Sequence, residues 1–215
     1  LLSIAGIDGP IVLVGHSIAG LYLRLYANKY PDNIVGMVLL DASHPRQNEI
    51  LAVKGFTCRK RIHNKAMALY ASLGLGRVFL PLWELSGNDM LYLSEQAKNK
   101  MLYLLGRRQS YTTPLIEFDA FSAAAKQALA SGNLGDLPLL VITGSIRHGG
   151  RYLSKSDRGK YASDWMMLQK DLLSISSNSY HDVIEGAGHC TLVTQECYAS
   201  QVANAIFTFI KNIKQ

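Results

Sequence analysis

Cysteine is scarce, with only Cys58, Cys190 and Cys197 in 215 residues. The number is odd, the spacings match no metal site and no Asn-x-Ser/Thr sequon occurs, so neither a disulfide framework nor a metal centre is expected. No apolar run is long enough to span a bilayer, and repeats and low-complexity tracts are missing, which excludes membrane spans, solenoids and disordered arrays. Lys and Arg exceed Asp and Glu, giving a formal charge of +6. That excess is scattered over Arg59-Lys60-Arg61, Arg107-Arg108 and the stretch from Arg147 to Lys160, with no interleaved aromatics. These groups read as solvated faces, and no nucleic-acid partner is expected. The first residues, Leu1-Leu2-Ser3-Ile4-Ala5-Gly6, have no initiating Met and no charged segment leading into an apolar run, so they make no signal peptide. They read as the last turn of an amphipathic helix before an Asp8-Gly9-Pro10 turn, and the chain reads as one that begins mid-domain. The expected location is cytoplasmic.

What is present is an ordinary globular composition, 48% hydrophobic and 18% charged, which suits one domain with an insertion. Its organising stretch is Ile11-Val12-Leu13-Val14-Gly15-His16-Ser17-Ile18-Ala19-Gly20, followed by the helical pattern Leu21 to Ala27. This is strand, sharp turn and helix, with a serine at the apex. Such a turn forces its central residue into a strained conformation and needs small neighbours two positions to each side, here Gly15 and Ala19. The serine hydroxyl is pushed out above the carboxyl edge of a parallel sheet. The Ile18 amide, at a helix N-terminus, points at the same spot as an oxyanion donor. A serine that merely caps a buried helix is the plainer alternative for the pentapeptide alone.

Tyr30-Pro31-Asp32-Asn33 then breaks the pattern, and the continuous apolar run Ile34 to Leu40 reads as a second buried parallel strand ending at Asp41. Residues 42–136 contain no strand pattern. Helices are expected over Asn64 to Leu75, Gly76 to Leu85, Ser94 to Leu105 and Pro114 to Ala130. Strand and helix alternate again from Leu137 to Gly144, through a polar loop at Arg147-His148-Gly149-Gly150, to a helix near Tyr161 to Leu173. A fourth strand, Tyr180 to Glu185, leads into the turn Gly186-Ala187-Gly188-His189-Cys190. In the last helix, about Glu196 to Ile213, Val202, Ile206, Phe209, Ile210 and Ile213 share one face, which packs on the sheet.

These pieces together resemble the C-terminal two-thirds of an α/β-hydrolase-fold serine hydrolase: Gly15 to Gly20, Asp41-Ala42-Ser43-His44-Pro45, Leu134 to Gly144, and Glu185 to His189, in the family's order and spanning nearly the whole chain. The resemblance implies an α/β fold with a mainly parallel sheet of which the last four strands are present. It divides the chain into a core of residues 1–41 and 137–215 and a helical cap of residues 42–136. The missing part would cover the exposed side of the Ile11 to Gly15 strand and supply a second oxyanion amide.

A serine hydroxyl is a weak nucleophile at neutral pH, so a base must take its proton and a carboxylate must orient the base. The order nucleophile, acid, histidine is the family's. His189, in a glycine-rich turn after the fourth strand, is the expected base. His16 is expected to point away from the serine and pack, and His44, His63, His148 and His181 have no comparable setting. For the acid two positions compete. Most relatives place it after the strand before the histidine strand, where the first carboxylate here is Asp157, far along a loop. A minority place it one strand earlier, where Asp41 stands, and Asp41 is the preferred choice.

Relatives that open epoxides or displace halide carry an aspartate at the elbow, so Ser17 points to acyl chemistry on an ester, thioester or related bond, without a cofactor. Acyl transfer to another acceptor, and a non-catalytic binding module, are the alternatives the resemblance leaves open. Leu69, Leu73, Leu75, Phe79, Leu80, Leu82, Trp83, Met90, Leu91, Tyr92 and Leu93 suggest an apolar roof suited to a hydrophobic small-molecule acyl substrate.

Overall fold

The computed structural model describes residues 2–7, 9–51, 56–75, 93–147 and 155–213. Four strands, β1 (Ile11–His16), β2 (Ile34–Leu40), β3 (Leu139–Ile146) and β4 (Ser179–Gly188), form one sheet in the order β1-β2-β3-β4, every pair parallel. Parallel neighbours cannot be joined by tight hairpins, so each connection carries helix. These connections comprise α1 (Ala19–Lys29), then α2 (Gln47–Ile50), α3 (Phe56–Ser72), α4 (Glu95–Leu105) and α5 (Gln109–Ala130), then α6 (Lys155–Asp171). After β4 come α7 (Thr191–Thr194) and α8 (Glu196–Ile213). With all strands running one way, their carboxyl ends share one edge, where His16, Leu40, Ile146 and Gly188 terminate them.

The period of two along the strands divides the core into two layers. Met37 and Leu39 of β2 and Leu139 and Val141 of β3 pack on one face with Ala27 of α1 and Leu172 and Ile175 of a 3-10 turn. Val38, Leu40, Leu140 and Ile142 pack on the other, with Ile184 of β4 and Val202 and Phe209 of α8. The last helix therefore docks through the face its spacing indicates. It crosses β2 so closely that a Cβ at Gly36 would come within 2.5 Å of Ile213 Cδ1.

Several boundaries differ from expectation. The first residues form only a 3-10 turn, Ser3–Ala5, with Ile4 91% exposed, so they do not pack as an amphipathic helix. Helix α5 begins before Pro114, which lies inside it. Tyr111, buried against Ala68 and Ala71 of α3, anchors that first stretch and offsets the one hydrogen bond proline removes. Helix α6 starts at Lys155, so Asp157 sits in a helical first turn, where a carboxylate suits the dipole, and not along a loop. Strand β4 extends through the glycine-rich segment to Gly188, with an irregularity against β3 between Gly144 and Ile146. The helix expected over Gly76 to Leu85 lies outside the described residues.

Candidate active site

At the carboxyl edge, β1 stops at His16 and the chain turns at Ser17 with φ of +60°. A non-glycine residue in this region is strained, and the surroundings hold it there. The Ser17 N–H donates to the Leu40 carbonyl at 3.2 Å, and its carbonyl accepts from Ser43 N–H at 2.8 Å and Gly20 N–H at 3.2 Å. Small neighbours make the turn possible: a Cβ on Gly15 would lie 2.5 Å from Leu23 Cδ1 and 3.2 Å from Ala19 Cβ. Ile18 packs beside Leu21, Phe121, Ala125 and Ala128, where α5 covers α1. Its amide stands just before α1, among the N–H groups that have no acceptor within a helix.

Asp41 follows β2 with φ of +41°, its N–H donating to the Ile142 carbonyl at 2.7 Å and its side chain 1% exposed. His189 follows β4. Its approach is shaped by Gly186, at φ of +78°, and by Gly144, where a Cβ would lie 2.5 Å from the Ala187 carbonyl oxygen. Although β1 and β4 are opposite edges of the sheet, the three side chains meet. His189 Nδ1–H donates to Asp41 Oδ2 at 2.5 Å, and His189 Nε2 lies 3.1 Å from Ser17 Oγ. An ionised carboxylate only accepts, so Asp41 selects the tautomer that leaves Nε2 free to accept from the serine. Asp157 is not the partner of this imidazole nitrogen.

Burial is the strongest single influence on Asp41 and pushes its pKa up. The hydrogen bond from His189, the Arg147 charge and the Trp165 indole together outweigh it, and the carboxyl is held below its ordinary value. Arg147 Nη1 donates to Asp41 Oδ2 at 2.9 Å, and Trp165 Nε1 donates to Oδ1, also at 2.9 Å. By sequence alone neither residue has a role in the site and Arg147 counts among solvated basic groups, whereas its side chain is only 18% exposed. Two features of the sequence bear on them: a cation stands in the segment after β3 where most relatives carry the acid, and a tryptophan interrupts the polar helix α6, where a buried indole N–H needs an acceptor.

His16 packs against the histidine loop. Its ring lies 4.4 Å from that of His189, and its Nε2 lies 2.9 Å from the His189 carbonyl oxygen, so the N–H there holds the histidine loop. Burial and then the neighbouring His189 push its pKa down. His44 is buried; its Nε2–H donates to Asp171 Oδ2 at 2.9 Å and its Nδ1 accepts from the Arg46 N–H. His181 pairs with Thr143, away from the other three, and His148 lies outside the described residues. Of the expected roof, Leu69 and Leu73 are 63% and 65% exposed, while Phe79, Leu80, Leu82, Trp83, Met90, Leu91 and Tyr92 lie outside the described residues. Among the described residues no group of His, Cys, Asp and Glu could hold a metal ion, and no helix is long and apolar enough to cross a membrane.

The parallel sheet, with helices in its connections and a strained residue at the turn after β1, has the α/β-hydrolase fold. The model of the alpha/beta hydrolase family matches residues 2–205, nearly the whole chain, and the chain belongs to that family. Many solved structures are similar at low identity, which reflects the shared fold, and three of them illustrate the range. A carboxylesterase of the ammonia-oxidizing thaumarchaeon Nitrososphaera gargenis is 15% identical with a TM-score of 0.58, over 99% of this chain and 68% of that one. A laboratory-evolved potato epoxide hydrolase is 16% identical with a TM-score of 0.59, over 98% and 73%. A haloalkane dehalogenase of Agrobacterium tumefaciens C58 is 13% identical with a TM-score of 0.59, over 96% and 69%. No curated protein sequence matches the chain.

Proposed function

We propose that the protein is a serine hydrolase that cleaves an ester, thioester or related acyl bond through an acyl-enzyme on Ser17. The observation carrying this reading is His189, with Nε2 at 3.1 Å from Ser17 Oγ and Nδ1 on the buried Asp41. His189 takes the hydroxyl proton as Ser17 Oγ attacks the acyl carbon, and the carbonyl π electrons move onto oxygen. The Ile18 N–H stabilises that oxyanion. Collapse re-forms the carbonyl and expels the leaving group, which takes the proton from His189. Water, deprotonated by the same imidazole, then attacks the ester and releases the acid with Ser17 restored. Asp41 stays ionised and supports the imidazolium.

Similar folds include an epoxide hydrolase and a dehalogenase, but the nucleophile here argues for acyl substrates. A serine alkylated by either reaction would be an ether that water does not reverse, whereas an acyl ester turns over. Residues 42–136 supply the helices between β2 and β3 and, in this reading, form the cap over the site, suited to a hydrophobic small-molecule acyl substrate.

The test is labelling by a fluorophosphonate probe of the protein carrying this chain. Label is expected on the parent and on Asp157→Ala, with loss in Ser17→Ala and a large loss of rate in Asp41→Ala and His189→Ala. Undiminished labelling of folded Ser17→Ala sinks the assignment of the nucleophile, and near-full turnover of Asp41→Ala sinks that of the acid.

A further inference from the structure

The carboxylate of Asp41 receives more than an orienting acid requires. One oxygen, Oδ2, accepts from both His189 Nδ1–H and Arg147 Nη1–H, while Oδ1 accepts from the Trp165 indole. Arg147 is itself braced: its guanidinium carbon lies 3.8 Å from the centre of the Trp165 ring, which stands nearly perpendicular to the His189 ring at a centroid distance of 6.4 Å. A single tryptophan thus fixes the acid through its N–H and the cation through its face. A planar guanidinium stacks and donates at once in a way a lysine ammonium does not.

The charges around the imidazole can be named from each element. β1 brings His16, the end of β2 brings Asp41, the end of β3 brings Arg147, and α6 brings the neutral Trp165. α6 also carries Lys155, Asp157, Arg158 and Lys170, and two of its ion pairs are Lys160 with Asp164 and Asp171 with His44. Arg147 Nη1–H and His189 Nδ1–H meet on one carboxylate oxygen, so the position of that oxygen is set jointly by the cation and the imidazole.

We propose that Arg147, braced on Trp165, is a positioning residue of this site that holds the Asp41 carboxylate in the orientation that receives His189 Nδ1–H. The proposal rests on the reading of Ser17, His189 and Asp41 given above. It assigns Arg147 no contact with substrate and no proton transfer.

The test compares Arg147→Gln, which removes the charge and keeps a donor, with Arg147→Lys, which keeps the charge without the planar fork, and with Trp165→Phe, which keeps an aromatic face and removes the indole donor. kcat and KM on a chromogenic ester, the rate of fluorophosphonate labelling and the urea midpoint are measured for each. Because Arg147 touches no substrate in this reading, Arg147→Gln is expected to lower kcat and the labelling rate about tenfold with KM within about twofold. Arg147→Lys is expected to recover only part of that loss. Parent-like kcat and labelling in folded Arg147→Gln, or a loss confined to KM, overturns the proposal. Parent-like values in Trp165→Phe overturn the bracing, and decide the matter if Arg147→Gln does not fold. A parent with neither turnover nor label refutes the hydrolase reading, whereas an active parent with unaffected variants refutes the role of Arg147 alone.

Discussion

The backbone at Ser17 lends itself to a comparison whose sign is diagnostic. Ser17→Ala and Ser17→Gly both remove the hydroxyl and its contact with His189 Nε2, so the lost hydrogen bond cancels between them and only the Cβ differs. At φ of +60° a side chain costs about 1–2 kcal/mol of steric strain that glycine avoids. Glycine in turn makes the unfolded chain more flexible, which costs about 0.5–1 kcal/mol. Net, Ser17→Gly should be more stable than Ser17→Ala by roughly 0.5–1 kcal/mol, or about 2 °C in Tm for a domain of this size. At an unstrained position the same comparison favours alanine, so the direction alone decides. Differential scanning calorimetry with urea unfolding measures it, and neither variant should take the fluorophosphonate label. A glycine variant melting at or below the alanine variant would refute the view that the turn stores strain to present the hydroxyl.

Gly144→Ala should destabilise by about 1–3 kcal/mol, because its Cβ would lie 2.5 Å from the Ala187 backbone oxygen and β3 and β4 must part to admit it. The displaced strand carries His189, so kcat should fall as well; a urea midpoint and kcat both unchanged would contradict this. Stability should also decline in acid. The pKa values of His16, His44 and His181 are lowered, with burial the leading cause in each, so the unfolded chain takes up their protons first. These contributions are present above about pH 6.5 and are lost as pH falls through that value towards the folded ones; the depressed Asp41 adds a further loss below about pH 3.8. A urea midpoint at about pH 5 equal to or above that at about pH 7.5 would count against this.

The sequence determined the parts governed by local chemistry. Small residues around Ser17 are legible because an elbow collides with anything larger, and the β2 and β3 strands are legible because strands buried on both faces are apolar throughout. The period of α8 points to the face that meets β2. Order along the chain placed Ser17, Asp41 and His189 just after strands and offered Asp157 as a second candidate acid. Tertiary structure decided which of these groups touch. Ser17 and His189 are 172 residues apart, and Asp41 and His189 are 148 apart, so no periodicity relates them. They meet because parallel strands end on one edge, and the sheet order puts the turn after β2 between the serine and the histidine. The same convergence gave the packing of His16 its particular partner, the His189 loop. It also drew Arg147 out of an apparently solvated basic stretch onto Asp41. Charge in a sequence shows only that a side chain needs water or a partner; which of the two it finds depends on what the fold brings within about 4 Å.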